Sequence, residues 1–365
     1  MMIEELSVGT AVTPTEDVAM LRALELAGSA DFRRRGGNPR VGCVVLAPDG
    51  TTIAEGYHRG AGTAHAEAVA LAVAGDRARG STVVVTLEPC AHRGRTGPCA
   101  DAVVAAGVRR VIFAQPDPNP VASGGAERLR SAGVDVIVGH RTDEAVALNP
   151  DWTFAQRTGR PRVRLKIAST LDGRVAAADG SSRWITSAEA REDGHRLRAL
   201  ADAVLVGTGT VLADDPLLTV RIPGPEAYEQ PLRAVFGTTP IAASAAIHST
   251  GSSAEPPILL GTRSPSAALA HLRREGVSSV LIEGGPRTAA AFLSAGLVDE
   301  VVSYLAPVLL GAGPAAVGDL GITTIGSALR GEITDLRSLG SGPQLCVRIV
   351  TRLITREQDD VHRNH

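Results

Sequence analysis

Positions 41–47 form an unbroken apolar run, and the turn Pro48-Asp49-Gly50 separates it from a second short run at 51–57. Two such runs across a proline–glycine turn predict a β-hairpin. A strongly β-branched stretch at 81–87, centred on Val83-Val84-Val85, predicts a third strand, and 108–114 and 134–138 predict two more. Between them, 65–78, 101–106 and 127–132 carry helical spacing. Ahead of all these, Thr13-Pro14-Thr15-Glu16 reads as a helix start: a capping threonine, a proline at the first helical position and a glutamate three residues on. Val18, Leu21, Leu24 and Ala27 would then face the core. Strands alternating with helices predict a layered α/β domain around a largely buried sheet.

The pattern pauses at Thr158-Gly159-Arg160-Pro161 and starts again with strands at 163–168, 203–206, 277–282, 301–305 and 345–350. Helical segments lie around Leu197 and over 289–293, and the Ser-, Ala- and Pro-rich stretch 241–257 reads as an irregular excursion or a weak hairpin. The second half repeats the α/β style without repeating the sequence. The reading is a first domain over 13–158 and a second over 161–355. The first ten or so residues are expected to fray, and 356–365 to form a disordered tail.

Composition narrows the function. A chain of 365 residues fits two domains at about 150 residues each. The balance of 37 basic and 39 acidic residues argues against bulk electrostatic binding to nucleic acid or to an anionic membrane. Four cysteines do not make a secreted disulfide framework, the N-terminus lacks a signal-peptide pattern, and no apolar run spans a bilayer. A cytoplasmic protein is expected. Lys166 is the single lysine in a chain that otherwise uses only arginine.

The sharpest chemistry lies in His65-Ala66-Glu67, Pro89-Cys90 and Cys99. One imidazole and two thiolates supply three ligands for a catalytic zinc and leave a fourth position open for water. Glu67, two residues from His65, can enter the same cavity without ligating and act as general acid/base, the arrangement of the zinc deaminases. Eight residues, rather than two, separate Cys90 from Cys99. Cys43 and Cys346 lie in apolar strand runs and read as core residues. A competing reading makes the zinc structural, which requires a fourth protein ligand, with His58 and His92 as the candidates.

These residues, with Asn38-Pro39-Arg40-Val41-Gly42, the cysteine-flanked insert Ala91-His92-Arg93-Gly94-Arg95-Thr96-Gly97-Pro98, and Asp117-Pro118-Asn119-Pro120, resemble the bifunctional deaminase–reductases of riboflavin biosynthesis. Gly37 and Gly97 stand where that family usually shows proline. The resemblance implies a cytidine-deaminase-like three-layer α/β/α fold for the first domain. It also implies a phosphoribosylated diaminopyrimidinone substrate that loses its ring 2-amino group, with Asn38, His58, Arg95, Asp117 and Asn119 as its contacts.

The second domain has no G-x-G-x-x-G opening a helix, so a standard dinucleotide-binding fingerprint is not supported. Instead Glu283-Gly284-Gly285-Pro286 closes an apolar strand and opens a helix, a turn suited to close ligand approach or merely to tight packing. The resemblance continues through Lys166-Ile167-Ala168-Ser169-Thr170-Leu171-Asp172-Gly173, Ser182-Arg183-Trp184-Ile185-Thr186, Thr210-Val211-Leu212-Ala213-Asp214-Asp215-Pro216 and Leu218-Thr219-Val220-Arg221. It implies a dihydrofolate-reductase-like α/β domain that uses NADPH. Cofactor contacts would be Ala168, Trp184, Thr210, Asp214 and the segment Gly285, Pro286, Arg287, Thr288, Ala289, Ala290 and Ala291. Substrate contacts would be Ser182, Arg198, Leu218, Arg221 and Glu283, with Arg198 and Arg221 clamping a sugar phosphate. The resemblance further implies a homodimer or larger homo-oligomer.

Overall fold

The computed structural model describes residues 11–29, 37–92, 97–222, 228–249 and 255–354. The expected frayed start and disordered tail lie outside them. The chain divides into two compact units, Met1–Gly159 and Arg160–His365.

The first unit runs α1 (Pro14–Ala27), β1 (Gly42–Leu46), β2 (Thr52–Tyr57), α2 (Ala66–Ala74), β3 (Thr82–Leu87), α3 (Cys99–Ala105), β4 (Arg110–Gln115), α4 (Gly125–Ser131), β5 (Asp135–Val138), α5 (Thr142–Leu148) and α6 (Pro150–Thr158). Its sheet has the order β2-β1-β3-β4-β5. The hairpin and the β1–β3 pair are antiparallel, while β3, β4 and β5 run parallel. Successive side chains on a strand point to opposite faces, and here both faces are buried. Cys43, Val45, Val83, Val85, Val111 and Phe113 pack with α2, α3 and α4 on one side. Val44, Leu46, Val84, Ile112 and Ala114 pack with α1 and Ala145 on the other. This is the three-layer α/β/α arrangement.

Thr13 caps α1 through a capping box, with Glu16 N–H donating to Thr13 Oγ1 and Thr13 N–H donating to Glu16 Oε2. The core face of α1 meets the sequence expectation at Ala27 and, half-buried, at Leu24, but not at Val18 and Leu21. Ala19, Met20, Ala23 and Ala27 are buried, whereas Val18 and Leu21 are 64% and 45% exposed. The reason is steric. A Cβ on Gly42 of β1 would lie 1.9 Å from the Ala23 carbonyl oxygen, so only the alanine-rich face of α1 can approach the sheet this closely.

The second unit runs β6 (Arg162–Thr170), α7 (Ala188–Leu200), β7 (Ala203–Gly207), α8 (Thr208–Asp214), β8 (Leu232–Phe236), β9 (Ile258–Leu259), α9 (Pro265–Arg274), β10 (Ser279–Ile282), α10 (Pro286–Ser294), β11 (Glu300–Ala306), β12 (Gly331–Leu339) and β13 (Cys346–Leu353). Its eight-stranded sheet has the order β12-β13-β11-β6-β10-β7-β8-β9. The strands from β11 to β9 are parallel, and β13 and β12 add an antiparallel edge. Adjacent strands β7 and β10 send their following helices to opposite faces. Val211 of α8 joins the core beneath α7, whereas Ala289 and Phe292 of α10 join the core on the other side. Such a divergence opens a crevice at the carboxyl ends of the strands, where doubly wound sheets bind ligands. In the 241–257 stretch the described residues hold a single turn of 3₁₀-helix at Ala246–His248 and no hairpin. Among the described residues no helix is long and apolar enough to cross a membrane.

Candidate functional site

Helix α2 is unusually small-sided, and this fixes the first site. A Cβ on Gly56 of β2 would lie 2.4 Å from the Ala66 carbonyl oxygen, so α2 lies directly on the hairpin. His65 occupies its N-cap position in extended backbone, and Glu67 follows in the first turn. Cys90 lies just beyond the end of β3, and Cys99 opens α3. The three ligand atoms lie within 4.8 Å of one another. His65 Nδ1 is 3.8 Å from Cys90 Sγ and 3.3 Å from Cys99 Sγ, and the Cys99 N–H donates to Cys90 Sγ over 3.4 Å. Zinc bonds of about 2.0–2.3 Å place tetrahedral donors roughly 3.5–3.8 Å apart, so the set fits a zinc ion by spacing and by donor chemistry.

Hydrogen bonding from Cys99 holds the Cys90 thiol well below the usual thiol range, which favours the ligating thiolate. No fourth ligating side chain joins the cluster among the described residues. His58 is turned elsewhere, with Nδ1 3.0 Å from the Ala64 carbonyl and Nε2 2.9 Å from Asn38 Nδ2. Among the described residues the cluster thus offers three ligands, the number found in open catalytic sites. Replacing Cys99 with serine should weaken zinc binding by more than the roughly 10–100-fold seen when only an outer partner is lost. Metal analysis after dialysis checks this, and a full zinc complement would remove Cys99 from the ligand set.

The cluster opens into a cavity of about 550 Å³ lined by Asn38, His58, His65, Glu67, Glu88, Cys90, His92, Asp117 and Asn119, with Trp152 and Gln156 reaching in from α6. Glu67 is 4% exposed, and burial raises its carboxyl to about 7. Asp117 is raised to about 6, chiefly by burial and in part by the Glu88 charge. The Asp117–Pro120 turn holds itself, with Asn119 N–H donating to Asp117 Oδ1 and Val121 N–H to Asn119 Oδ1. His92 Nδ1 is buried without a hydrogen-bond partner among the described residues. Of the residues anticipated here, Asn38, His58, His65, Glu67, Cys90, Asp117 and Asn119 line this one cavity, Cys99 is buried behind it against His65, and Arg95 falls outside the described residues. Glu88, Trp152 and Gln156 were not anticipated. Glu88 adjoins the Pro89-Cys90 pair, but nothing in sequence spacing brings α6 to the site.

In the second unit, Gly284 and Gly285 lie between the end of β10 and α10. A Cβ on Gly284 would lie 2.6 Å from the Thr288 side chain, and one on Gly207 would lie 2.4 Å from it, so the two glycines let Thr288 of α10 pack closely against the ends of β7 and β10. The Gly285 N–H donates to Thr210 Oγ1, tying α8 to α10. The start of α10 is a place in this unit where a dinucleotide phosphate could be held on backbone N–H groups, as at other helix N-termini.

Beside it, Arg198 Nε and Nη2 donate to the two oxygens of Glu283 at 2.5 and 3.0 Å, and Nη1 donates to the Thr219 carbonyl. Burial alone would raise the Glu283 carboxyl, but Arg198, with help from Lys166, holds it at about 2. The Lys166 ammonium is 3.8 Å from Glu283. The guanidinium of Arg221 donates to Thr219 Oγ1, and its backbone N–H donates to His195 Nδ1. Burial and the Arg198 and Arg221 charges lower His195 to about 4.

Leu218 is buried with φ of 55° at the turn leading into this group, and Ala168 lies on β6 opposite Tyr304. Trp184 is 71% exposed beneath the Arg191 guanidinium at 4.3 Å, so it is no core residue. No hydrogen bond among the described residues ties Ser182, Trp184 or Asp214 to the Glu283 cluster. Asp215, next to Asp214, accepts the Ala246 N–H.

Two family models match the chain. Residues 14–115 match the cytidine and deoxycytidylate deaminase zinc-binding region, and residues 161–345 match the RibD C-terminal domain. The riboflavin biosynthesis protein RibD of Mycobacterium tuberculosis is 45% identical over 317 residues, covering 86% of this chain and 91% of its own. That of Escherichia coli is 40% identical over 369 residues, covering 92% and 99%. The solved structure of Acinetobacter baumannii RibD, form 2, has a TM-score of 0.80 at 37% identity and covers 93% of this chain and 99% of its own. A Thermotoga maritima structure described as a diaminohydroxyphosphoribosylaminopyrimidine deaminase/5-amino-6-(5-phosphoribosylamino)uracil reductase has a TM-score of 0.75 at 32% identity, covering 93% and 99%.

Proposed function

The chain belongs to the RibD family of bifunctional deaminase–reductases of riboflavin biosynthesis, and on that premise we propose how each of its two sites does its share. The carrying observation is the cavity that joins an open His65–Cys90–Cys99 cluster to a buried Glu67.

The first unit, proposed to span 13–158, hydrolyses the 2-amino group of 2,5-diamino-6-(5-phosphoribosylamino)pyrimidin-4-one to a carbonyl and releases ammonia. His65, Cys90 and Cys99 hold the zinc. When bound, zinc supplies Lewis acidity that activates a water toward the ring carbon bearing the amine. Glu67 moves the protons. Its carboxylate takes one, and its carboxylic acid returns it to the departing nitrogen. A pKa near neutrality suits a group that must both accept and donate. The Ala64 carbonyl can only accept, so His58 Nδ1 carries the ring proton and Nε2 accepts from the Asn38 amide. Asn38 then presents its carbonyl oxygen to an N–H of the substrate. Asp117, Asn119 and His92 complete the polar wall, and Arg95 is assigned to the substrate's ribosyl phosphate.

The second unit, proposed to span 161–355, reduces the ribosyl group of 5-amino-6-(5-phosphoribosylamino)uracil to ribityl. NADPH supplies the hydride. Ala168, Trp184, Thr210, Asp214 and the 285–291 segment hold the cofactor, and Ser182, Leu218, Arg221 and Glu283 hold the pyrimidine. The Arg198 fork is spent on Glu283, so the phosphate falls to Arg221, and Arg198 acts by fixing the Glu283 carboxylate. The protein works as a cytoplasmic homo-oligomer. Four free cysteines support the location. The outer strand β12, with Ile333 and Leu336 59% and 63% exposed, supports assembly.

The test supplies the diaminopyrimidinone phosphate and follows ammonia release with and without NADPH, and NADPH oxidation in parallel. Ammonia should appear without NADPH, and oxidation should follow deamination. Ammonia release that requires NADPH would refute two independent sites. Replacing Arg221 with alanine should raise the reductase KM by about tenfold, the worth of one charge-assisted hydrogen bond. Deamination should stay unchanged, and equal loss of both activities would make Arg221 structural.

A further inference from the structure

We propose that Glu88 is a positioning residue for the deamination, its carboxylate holding the Asp117–Asn119 turn at the cavity against the turn that delivers Cys90. The inference rests on the deaminase reading above and goes beyond it. Glu88 is 7% exposed and has no cationic partner among the described residues. Three backbone N–H groups satisfy it instead. Oε2 accepts from Asp117 over 3.0 Å, and Oε1 accepts from Gly124 and Ala126 over 3.2 and 2.9 Å. A buried carboxylate costs several kcal/mol unless such bonds compensate it, and the three N–H groups supply that compensation by tying the Asp117 and Gly124–Ala126 backbone to this side chain.

The same short turn is fastened to the same segment at two further points. The Ala91 N–H donates to the Ala122 carbonyl, and a Cβ on Gly125 would lie 1.8 Å from the Pro89 carbonyl oxygen. Ala122 packs against Cys90 and Cys99. Of these ties, the Glu88 carboxylate is the one that reaches the Asp117 end of the segment, next to the two polar residues at the cavity.

The geometry says what an amide would do. Glutamine has one accepting oxygen. Placed where Oε1 lies, that oxygen keeps the Gly124 and Ala126 bonds and turns an NH₂ toward the Asp117 N–H. Glu88→Gln thus releases the Asp117 end while keeping shape and volume. The purified full-length Glu88→Gln and Glu88→Ala chains are compared with wild type for zinc content, reductase turnover and deaminase kcat and KM. Glu88→Gln should keep its zinc and reductase turnover and raise the deaminase KM about tenfold, with kcat changed far less. Glu88→Ala should raise KM further. In an Asn119→Ala background the Glu88→Gln effect should shrink, because the two act through one segment.

An unchanged KM in Glu88→Gln overturns the proposal. So does a fall in kcat and zinc content at constant KM, which would place Glu88 in service of the metal alone. A Glu88→Gln chain without reductase turnover would make the carboxylate a folding requirement and overturn it equally. A wild-type chain that releases no ammonia would sink the deaminase reading itself, an outcome distinct from all of these.

Discussion

The Glu67→Gln enzyme should bind zinc as wild type does and release ammonia about 10²–10⁴ times more slowly, the usual worth of a positioned general acid/base. The separation of the two readouts follows from the structure. Glu67 lies in the first turn of α2, two residues past His65, and the three ligand atoms belong to other side chains. An amide of the same size fills the same space, so the cavity and the thiolates remain. What disappears is the site for a proton in transit. Reductase turnover with supplied deaminated substrate should be unaffected, because its residues lie in the other unit. Zinc content by metal analysis and ammonia release by a coupled assay check this. Deamination within tenfold of wild type would reassign the proton transfer, with Asp117 next in line.

Arg198→Ala should have the largest effect on stability. It strips the bidentate partner from Glu283, whose side chain is 9% exposed. Removing one member of a buried pair costs about 3–5 kcal/mol, or roughly 6–20 °C in the melting of a unit this size. The pH dependence has a definite sign. In wild type the Glu283 carboxyl is held at about 2, below its ordinary 4.5. The pair therefore stabilises the fold above about pH 4.5, and that contribution is lost as pH falls toward 2. Without Arg198, burial dominates and the carboxyl rises instead, so the variant is penalised most at neutral pH. The gap in melting temperature should be widest near neutrality and narrow as pH drops through the carboxylate range. Equal melting temperatures at neutral pH would show that Lys166 alone suffices for Glu283.

The sequence was most legible where local pattern and chemistry coincide. The strands of the first sheet are continuous apolar runs because both faces are buried, and the capping box at Thr13 is a four-residue signal. The metal triad could be read because histidine and cysteine in that order have few other uses, and the eight-residue insert did not prevent both sulfurs from reaching His65. What escaped was non-local. Strand β12 carries no burial alternation because it lies at the sheet edge with most positions exposed. The two-residue β9 is too short to show a period, and α5 buries Ala145 alone while α6 buries a mixed set of Trp152, Thr153 and Ala155, so neither helix carries a continuous apolar face. The partners of Glu88 are backbone N–H groups 29 to 38 residues away, which leave no trace in composition. Arg198 and Arg221 look alike as basic residues, and only the fold shows that one is committed to Glu283 while the other bonds to Thr219.

One lysine in the chain has a practical corollary. Apart from the α-amino group, the only primary amine is Lys166 Nζ, in a side chain 24% exposed and placed 3.8 Å from Glu283 in the proposed reductase crevice. Acylating and reductively alkylating reagents, which scatter over the surface of most proteins, have a single side-chain target here. The extent of labelling at residue 166 becomes a gauge of how accessible the surroundings of Glu283 are, and a fluorophore attached there would sit beside that carboxylate without any engineered cysteine.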